Sequence, residues 1–389
     1  MSKLTIQSIE AIIVDLPLRR LQRFAAVGAN STSIVLVRMR TKDGLEGIGE
    51  AVTPSGPWWG GESVETIKLM IDEQIAPVLT GTDAFDLAPS MARLDRALFG
   101  NAFAKASVEM AMLDLQGKAL GVPVHDLMGG KRRASLPCSW PLATGEASSE
   151  IEEAERMLES KRHNIFKLKM GAVDPVQDVE RACAVARGLE GRASVRGDPN
   201  EMWDETTTKW AVPRMADAGI VMVEQPMARW NLAASARLTA RSNCAIMIDE
   251  GLCTPQDMLR IAEMRAADLV SLKVMKSAGL LATRRIADIA EAGGISLYMG
   301  TFLECSIGTA ANMQLCATLA DLPYGGELSG PGLVAEDIAV RAARYVDFEL
   351  QLEEGVGLAV EVDEDKLKAF RRDRTYSVHA SRKSMSAKA

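Results

Sequence analysis

The chain contains the stretch Phe166-Lys167-Leu168-Lys169-Met170, in which apolar and basic residues alternate strictly. A period of two puts both lysines on one face of a β-strand and the three apolar side chains on the other. If helices cover the apolar face, both ammonium groups point into the protein. Burying them costs several kcal/mol each unless they are paired. The stretch therefore predicts acidic partners for Lys167 and Lys169.

Candidate partners follow at a regular interval, each at the end of an apolar run. They are Asp198, Glu224 and Asp249, and one more lysine, Lys273, belongs to the next run. Counted from Lys169, the intervals are 29, 26, 25 and 24 residues. A βα unit has about this length, so the residues would lie at one height on successive parallel strands. That height is the carboxyl end, where barrel enzymes place their active sites.

Eight apolar or alternating runs succeed one another and are separated by helical patterns. The runs are 136–142, 165–170, 193–198, 220–224, 245–249, 269–275, 295–300 and 325–328, and the helical patterns include 150–161, 176–189, 206–218, 255–265 and 280–292. Such alternation indicates an α/β protein with parallel strands, and eight units predict a (β/α)8 TIM-type barrel. An open doubly wound sheet is the alternative. The strand–helix junctions carry neither G-x-G-x-x-G nor G-x-x-x-x-G-K-[ST], which disfavours nucleotide-binding versions.

The sequence before and after this region has a different pattern. We expect four parts: a mixed α+β region at 1–130, the barrel at 131–345, a segment at 346–371 that rejoins the first region, and a polar, disordered tail at 372–389. Within the first region, a β-hairpin is predicted from Ser31 to Val52 with its turn at Asp43-Gly44. Helical patterns follow at 63–78, 84–98 and 103–119.

The overall composition excludes several classes of protein. With 45 Lys+Arg against 52 Asp+Glu, the net charge of −7 argues against a nucleic-acid partner. The apolar runs are shorter than the ~18–20 residues of a membrane span, and the start lacks the pattern of a signal peptide. The six scattered cysteines fit a cytoplasmic location. None of the three histidines stands in a nucleophile motif, so acid–base chemistry would come from carboxylates and lysines.

Three carboxylates at one level of a barrel make an oxygen-rich site. Asp198, Glu224 and Asp249 suit Mg²⁺ or Mn²⁺, which prefer hard oxygen ligands, whereas zinc would prefer His or Cys. Lys167 and Lys169 would flank this site on one side, with a third lysine on the other. Because desolvation and a nearby cation lower the pKa of a lysine, we expect these lysines to exchange protons near neutrality.

The order of these motifs, K-x-K, D-x-N, E-Q-P, D-E and K, resembles the enolase superfamily, specifically its muconate-lactonizing subgroup. The stretches 12–17, 298–304 and 306–309 add to the resemblance, which extends over nearly the whole chain. Members of this superfamily use a Lys or His base together with Mg²⁺. The resemblance implies an α+β capping domain over a modified (β/α)8 barrel, with the C-terminal segment completing the cap. It also implies a homo-oligomer such as an octamer, and two lid loops, at 25–30 and near residue 55, that close over the substrate.

The resemblance further implies roles for individual residues. Asp198, Glu224 and Asp249 would bind the metal. Lys169 would be the general acid/base with Lys167 tuning its pKa, and Lys273 would act from the opposite face or stabilise the intermediate. Substrate contacts would come from Trp58, Trp59, Asn200, Thr301 and Glu304.

The implied activity is a metal-dependent cycloisomerase that converts cis,cis-muconate or a substituted muconate to a muconolactone through a metal-stabilised enolate. An epimerase, racemase or dehydratase of an amino-acid-like carboxylate is the alternative enzyme. A barrel that only binds or assembles is a third possibility, which the intact lysines and carboxylates disfavour. The chain departs from the subgroup in its small, apolar lid at 25–30 and in Lys276-Ser277-Ala278-Gly279, where Lys-x-Gly-Gly is usual.

Overall fold

The computed structural model describes residues 3–23, 27–53 and 56–372. Parts of three predicted features lie outside these ranges: Ala25 and Ala26 of the first lid, positions 54 and 55 of the second, and 373–389 of the tail. In the described ranges, no helix combines the length and the apolar character needed to cross a lipid bilayer.

The N-terminal region is built on an antiparallel sheet of three strands. They are β1 (Ile6–Arg23), β2 (Gly28–Thr41) and β3 (Glu46–Val52), in that order. Strands β2 and β3 form the predicted hairpin, and Gly44 in its turn has a φ of +85° that favours glycine. The long strand β1 was not predicted.

Helices pack on this sheet and largely confirm the predicted periodicity. They are α1 (Val64–Met70), a π-helical turn (Ile71–Ile75), α2 (Ala76–Leu79), α3 (Leu87–Ala97), α4 (Ala102–Leu120) and α5 (Val124–Leu127). Helix α4 is buried on nearly all sides because it lies between β3 and the rest of the protein. Strand β3 approaches it through Gly47 and Gly49, where an added Cβ would overlap the carbonyl oxygens of Ala111 and Ser107.

Seven parallel strands then follow in consecutive order. They are β5 (Ser139–Leu142), β6 (Ile165–Lys169), β7 (Ser194–Asp198), β8 (Ile220–Glu224), β9 (Ala245–Ile248), β10 (Leu269–Leu272) and β11 (Ser296–Met299), preceded by the short β4 (Ser135–Pro137). The helices after them are α6 (Ala147–Glu159), α7 (Pro175–Gly188), α8 (Glu205–Asp217), α9 (Leu232–Thr239), α10 (Pro255–Met264), α11 (Leu280–Ala292) and α12 (Ser306–Cys316). Local signals start these helices: the Thr254 side chain caps α10, and Pro255 is its first residue.

The predicted eighth run, 325–328, closes the sheet without forming a regular strand. Gly326 bridges in parallel to both Cys138 and Met299, at the first and last strands. The Ser139 N–H donates to the Gly326 carbonyl at 2.7 Å, and the Glu327 N–H donates to the Met299 carbonyl at 2.8 Å. The sheet is therefore a TIM-type barrel, and the open doubly wound alternative is wrong.

The run 136–142, predicted as one strand, is divided in two. Its first part, β4, leaves the barrel to pair with β13 (Glu349–Gln351), which also pairs with β12 (Tyr345–Val346). Only the second part, β5, pairs with β6. The division falls at Cys138, whose backbone bridges to Gly326 instead.

The last described residues return to the N-terminal sheet. After α13 (Gly330–Leu333), helix α14 (Glu364–Phe370) packs on β1, and Arg371 bridges antiparallel to Val14. The guanidinium of Arg372 forms ion pairs with Asp15 at 2.5 Å and with Glu65. The C-terminal segment thus fixes one edge of the first sheet.

Candidate active site

The carboxyl ends of five neighbouring barrel strands bring the predicted charged residues together. Lys167 and Lys169 are on β6, Asp198 and Glu224 end β7 and β8, and Asp249 and Lys273 follow β9 and β10 directly. All but Lys169 are buried. Strand order places the three carboxylates between the lysines of β6 and that of β10, as the sequence spacing predicts.

Lys167 is enclosed by acidic side chains. Its Nζ lies 2.8 Å from Glu224 Oε2 and 3.7 Å from Asp198 Oδ2, and it forms an ion pair with Glu327. Burial alone would lower the pKa of Lys167, but these carboxylates outweigh it and raise the pKa well above the usual lysine value. The carboxylates around Lys167 therefore oppose the lowering of its pKa that burial alone would cause.

Lys169 has different surroundings two residues further along the strand. Its Nζ donates to Asp198 Oδ2 at 2.7 Å, and 12% of its side chain is exposed, against 1% for Lys167. The backbone carbonyl of Lys169 accepts a hydrogen bond from Arg181, which fixes the end of the strand. Of the two lysines on β6, Lys169 is thus the one that a ligand in the barrel mouth can reach.

Two lysines hold Asp249 from both sides. Lys273 Nζ lies 2.5 Å from Asp249 Oδ2, while Lys276 Nζ donates to Oδ1 at 2.6 Å and to the Asp249 carbonyl at 2.7 Å. Burial would raise the pKa of Asp249, but the two ammonium groups lower it far below its usual range. Burial would lower the pKa of Lys273, but Asp249 and Glu224 raise it. Lys273 therefore resembles Lys167, since neighbouring carboxylates outweigh the effect of burial on its pKa.

The three carboxylates act on one another through their charges. Burial and the charge of Asp198 raise the pKa of Glu224 to about 7, and Glu224 Oε1 is buried with no hydrogen-bond partner among the described residues. The described residues contain no ready-made group of three His, Cys, Asp or Glu side chains for a metal ion, since each carboxylate faces a lysine. The donor set nevertheless fits a hard divalent cation, because it is oxygen-only, buried and retains a free carboxylate oxygen.

Strained backbone marks the loops beyond these strands. Asn200, Glu201 and Gln225 have φ values of +44°, +68° and +31°, in the left-handed region. Such strain persists only where the surroundings fix it, and it often lies at functional sites. The Gln225 side-chain oxygen accepts hydrogen bonds from the Asp249 and Gly251 N–H groups at 3.0 and 3.1 Å. The glutamine of the E-Q-P motif therefore positions the next strand end.

Three of the residues predicted to contact substrate form hydrogen bonds within the loops of the candidate site. The side-chain Nδ2 of Asn200 donates to Glu250 Oε1 at 3.1 Å, and the backbone N–H of Asn200 donates to Asp198 Oδ1 at 3.1 Å. The Thr301 hydroxyl donates to Glu304 Oε2 at 2.5 Å, and the same oxygen accepts the Phe302 N–H at 2.9 Å. Glu304, whose pKa is raised by burial, thus organises its own loop, and its other oxygen has no hydrogen-bond partner among the described residues.

The two tryptophans of the 56–62 segment differ in burial. Trp59 is buried, with its ring edge-to-face against Phe302 at 4.5 Å between centroids and with Lys273 Nζ 5.0 Å from its centroid. Trp58 is half-buried and packs against both large hydrophobic clusters. Of the two, Trp59 reaches the charged residues of the candidate site.

Three further charged residues belong to this site, although the sequence alone assigns them no role. They are Glu250, Lys276 and Glu327. Burial, followed by the charge of Asp249, raises the pKa of Glu250 to about 8. The signal for Glu327 was present, since it lies in the predicted eighth run at the level of the other strand ends. The signal for Lys276 was its position as a charged residue in an apolar stretch, next to the departure from Lys-x-Gly-Gly.

Family models match nearly all of the chain. Residues 8–129 match the N-terminal domain of mandelate racemase / muconate lactonizing enzyme, and residues 149–366 match the enolase C-terminal domain-like family. The chain is 51% identical to a chloromuconate cycloisomerase of Cupriavidus pinatubonensis, over 93% of this chain and 97% of that protein. It is 44% identical to muconate cycloisomerase 1 of Pseudomonas putida, over 96% of this chain and all of that protein.

Solved structures show the same likeness. A muconate lactonizing enzyme of Pseudomonas fluorescens complexed with muconolactone superposes with a TM-score of 0.93 and 43% identity, over 95% of this chain and 99% of that one. A 2-chloromuconate cycloisomerase of Rhodococcus opacus 1CP superposes with a TM-score of 0.92 and 42% identity, over 95% and 100% of the two chains.

Proposed function

Since the chain belongs to the mandelate racemase / muconate lactonizing enzyme family, within the enolase superfamily, we propose that it is a cycloisomerase that closes cis,cis-muconate or a substituted muconate to a muconolactone. One observation carries the proposal: three buried carboxylates lie between lysines on opposite flanks, in a chain 51% identical to a chloromuconate cycloisomerase. The alternative, an epimerase, racemase or dehydratase, would use the same residues, but the relatives named above are cycloisomerases.

The proposal includes a divalent cation, Mg²⁺ or Mn²⁺, held by Asp198, Glu224 and Asp249. A cation bound there would supply positive charge to the substrate carboxylate and would compete with the lysines for the same oxygens. Glu224 Oε1 needs no rearrangement of hydrogen bonds to serve as a ligand, because no described residue donates to it. The Asp249 carboxylate is fixed in orientation, because Lys273 binds its Oδ2 and Lys276 binds its Oδ1.

The lysines would divide the remaining work. In the proposed reaction, one substrate carboxylate adds to the conjugated double bond, and the carbon beside the other carboxylate gains a proton. The Lys169 ammonium supplies that proton and recovers it from solvent through its partly exposed side chain. Lys167, held by Glu224 and Glu327, keeps its proton and contributes a fixed positive charge. Lys273 does the same on the opposite flank.

A homo-oligomer in the cytoplasm is also part of this proposal. The six cysteines are free thiols, and all but Cys253 are buried. Free thiols fit a reducing compartment. Size-exclusion chromatography with light scattering would give the oligomeric state, for which the family resemblance suggests an octamer.

The test is turnover of muconates in D₂O with Mg²⁺ or Mn²⁺. We expect the ultraviolet absorbance of cis,cis-muconate or a chloromuconate to disappear, and the lactone product to carry one solvent deuterium beside its carboxylate. Metal removal with a chelator should abolish this reaction. Deuterium exchange into an amino-acid-like carboxylate, with no lactone from any muconate, would replace the proposal with the epimerase alternative.

A further inference from the structure

The segment 56–62 connects the N-terminal region to the mouth of the barrel. On the N-terminal side, the Glu62 carboxylate accepts hydrogen bonds from the N–H groups of Phe103 and Ala104, at 2.9 and 3.2 Å, at the start of α4. Gly60 packs so tightly on the Phe103 ring that an added Cβ would overlap it. This side of the segment is therefore fixed to its own domain.

Trp59 projects from the segment toward the charged residues of the barrel. Lys273 Nζ and Lys276 Nζ lie 5.0 and 5.8 Å from its ring centroid, within the range of cation–π attraction. These two lysines are the partners of Asp249. The indole therefore covers the Lys273–Asp249 ion pair and keeps it from water.

Arg229, in the loop after β8, forms a hydrogen bond with the backbone of the same tryptophan. Its Nη1 donates to the Trp59 carbonyl at 3.2 Å, and its guanidinium carbon lies 5.3 Å from the indole centroid. The other edge of the guanidinium binds Glu201, with Nε–Oε1 at 3.0 Å and Nη2–Oε2 at 2.6 Å. A planar guanidinium can serve both partners at once, whereas a lysine ammonium is a point charge without this geometry.

Glu201 is itself locked in a strained position. Its φ is +68°, its N–H donates to the Gln225 carbonyl at 2.8 Å, and its carboxylate also accepts the Arg229 N–H at 2.5 Å. It thus ties together the loops that follow β7 and β8, the strands that end in Asp198 and Glu224. Strain of this kind persists only where the surroundings fix it, and here the Gln225 carbonyl and Arg229 do so.

We propose that Arg229 is a positioning residue: with Glu201 it latches the segment 56–62 to the barrel and holds the Trp59 ring over Lys273 and Lys276. It does not touch the reacting atoms. Its effect on substrate affinity rests on the proposed function, but the latch itself does not. Releasing it should free the segment and admit water to the Lys273–Asp249 pair, which weakens substrate binding more than it slows turnover.

Hydrogen exchange tests the latch without any substrate. In Arg229→Gln, the amides of 56–63 should exchange about tenfold faster than in the parent, because a hydrogen bond and a cation–π contact are lost. In Arg229→Lys, the amides of 56–63 should exchange nearly as fast as they do in Arg229→Gln. The control is Arg237→Gln, which removes a similar bidentate pair, with Glu205 at 2.9 and 2.7 Å, that links α8 to α9. The control should leave exchange at 56–63 unchanged.

Steady-state kinetics on the muconate that the parent turns over gives the second readout. We expect KM to rise about five- to tenfold in Arg229→Gln, with kcat within about twofold of the parent. Parent-like exchange at 56–63 in Arg229→Gln would overturn the latch, and so would faster exchange throughout the barrel, which would show general loosening. If the parent turns over no muconate, the proposed function fails, and the exchange result alone still decides the latch.

Discussion

Lys167 and Lys169 share one strand face but differ in what removal of each would leave behind. Loss of Lys167 would leave Glu224 and Glu327 as buried carboxylates without their lysine partner. Loss of Lys169 would deprive Asp198 of its closest lysine, but Lys167 remains 3.7 Å away to balance it. Substitution of Lys167 should therefore mainly lower stability, and substitution of Lys169 should mainly lower catalytic activity.

We predict that Lys169→Ala lowers kcat at least ~100-fold, the range for a lost general acid, with a melting temperature close to that of the parent. Lys167→Met should instead lower the melting temperature markedly, since it leaves uncompensated buried charge. Lys209→Ala, which removes an exposed lysine 3.8 Å from Glu205 on α8, is the control and should change neither quantity. Full activity in both Lys169→Ala and Asp249→Asn would refute the assignment of the site.

At the scale of elements, the contact of β3 with α4 depends on two glycines. Gly49→Ala would push a methyl group into the carbonyl of Ser107, within a fully buried helix turn. Neither the strand nor the helix can move aside, since both have buried neighbours on their other faces. We predict a loss of about 2–3 kcal/mol in the free energy of unfolding, measured with urea.

Gly44→Asn serves as the control for that substitution. An added Cβ at Gly44 meets nothing within 4 Å, and asparagine tolerates the left-handed φ of the turn. Gly44→Asn should lower the free energy of unfolding by less than about 1 kcal/mol. A Gly49→Ala protein as stable as Gly44→Asn would show that β3 and α4 have room to separate.

Much of the barrel could be predicted because its signals are local. Helices α7, α8, α10 and α11 begin within one residue of their predicted starts, since apolar periodicity and, in the first three, an N-capping side chain are local signals. The strand ends followed from the even spacing of Asp198, Glu224 and Asp249. The division of 136–142 could not be predicted, because it depends on Gly326, far along the chain.

The carboxylates that raise the lysine pKa values could not be predicted for a related reason. Burial and neighbouring cations, which lower the pKa, are implied by an inward-facing pair of lysines on one strand. The opposing partners come from distant strands: Glu327 for Lys167 and Asp249 for Lys273. Only the folded arrangement shows that the carboxylates outweigh burial.

At the scale of the whole molecule, two buried glutamates from the N-terminal region cap barrel helices. Glu50 accepts the N–H groups of Cys305 and Gly308, at 2.6 and 2.9 Å, at the start of α12. Glu109 accepts the Leu280 N–H at the start of α11. Burial raises the pKa of each to about 8, despite these hydrogen bonds. The contact between the two parts of the protein is therefore sensitive to pH.

The direction of this pH dependence follows from the number of protons that the folded and unfolded states bind. Between pH 4.5, the usual value for glutamate, and about pH 8, the folded protein retains a proton on Glu50 that the unfolded chain has lost. The stabilisation is thus complete below pH 4.5 and is lost as the pH rises through 8. We predict that the melting temperature of Glu50→Gln, relative to the parent, rises by about 2 °C or more between pH 5 and pH 9.

Glu354→Gln is the control for the pH series, because Glu354 is exposed. Its melting temperature relative to the parent should stay constant across the same range. A difference between Glu50→Gln and the parent that is flat, or that falls with pH, would contradict the assignment of a retained proton to Glu50.

The pairing of Arg371 and Arg372 with the first strand has a consequence for synthesis on the ribosome. The sheet that contains Val14 is complete in sequence by Val52, but Arg371, which pairs with its edge, is translated only after the whole barrel. At ordinary elongation rates this delay of roughly 300 residues lasts about 15 to 60 s. During that time the sheet edge at Val14 lacks this pairing, and an unpaired sheet edge is a template for contacts with other chains.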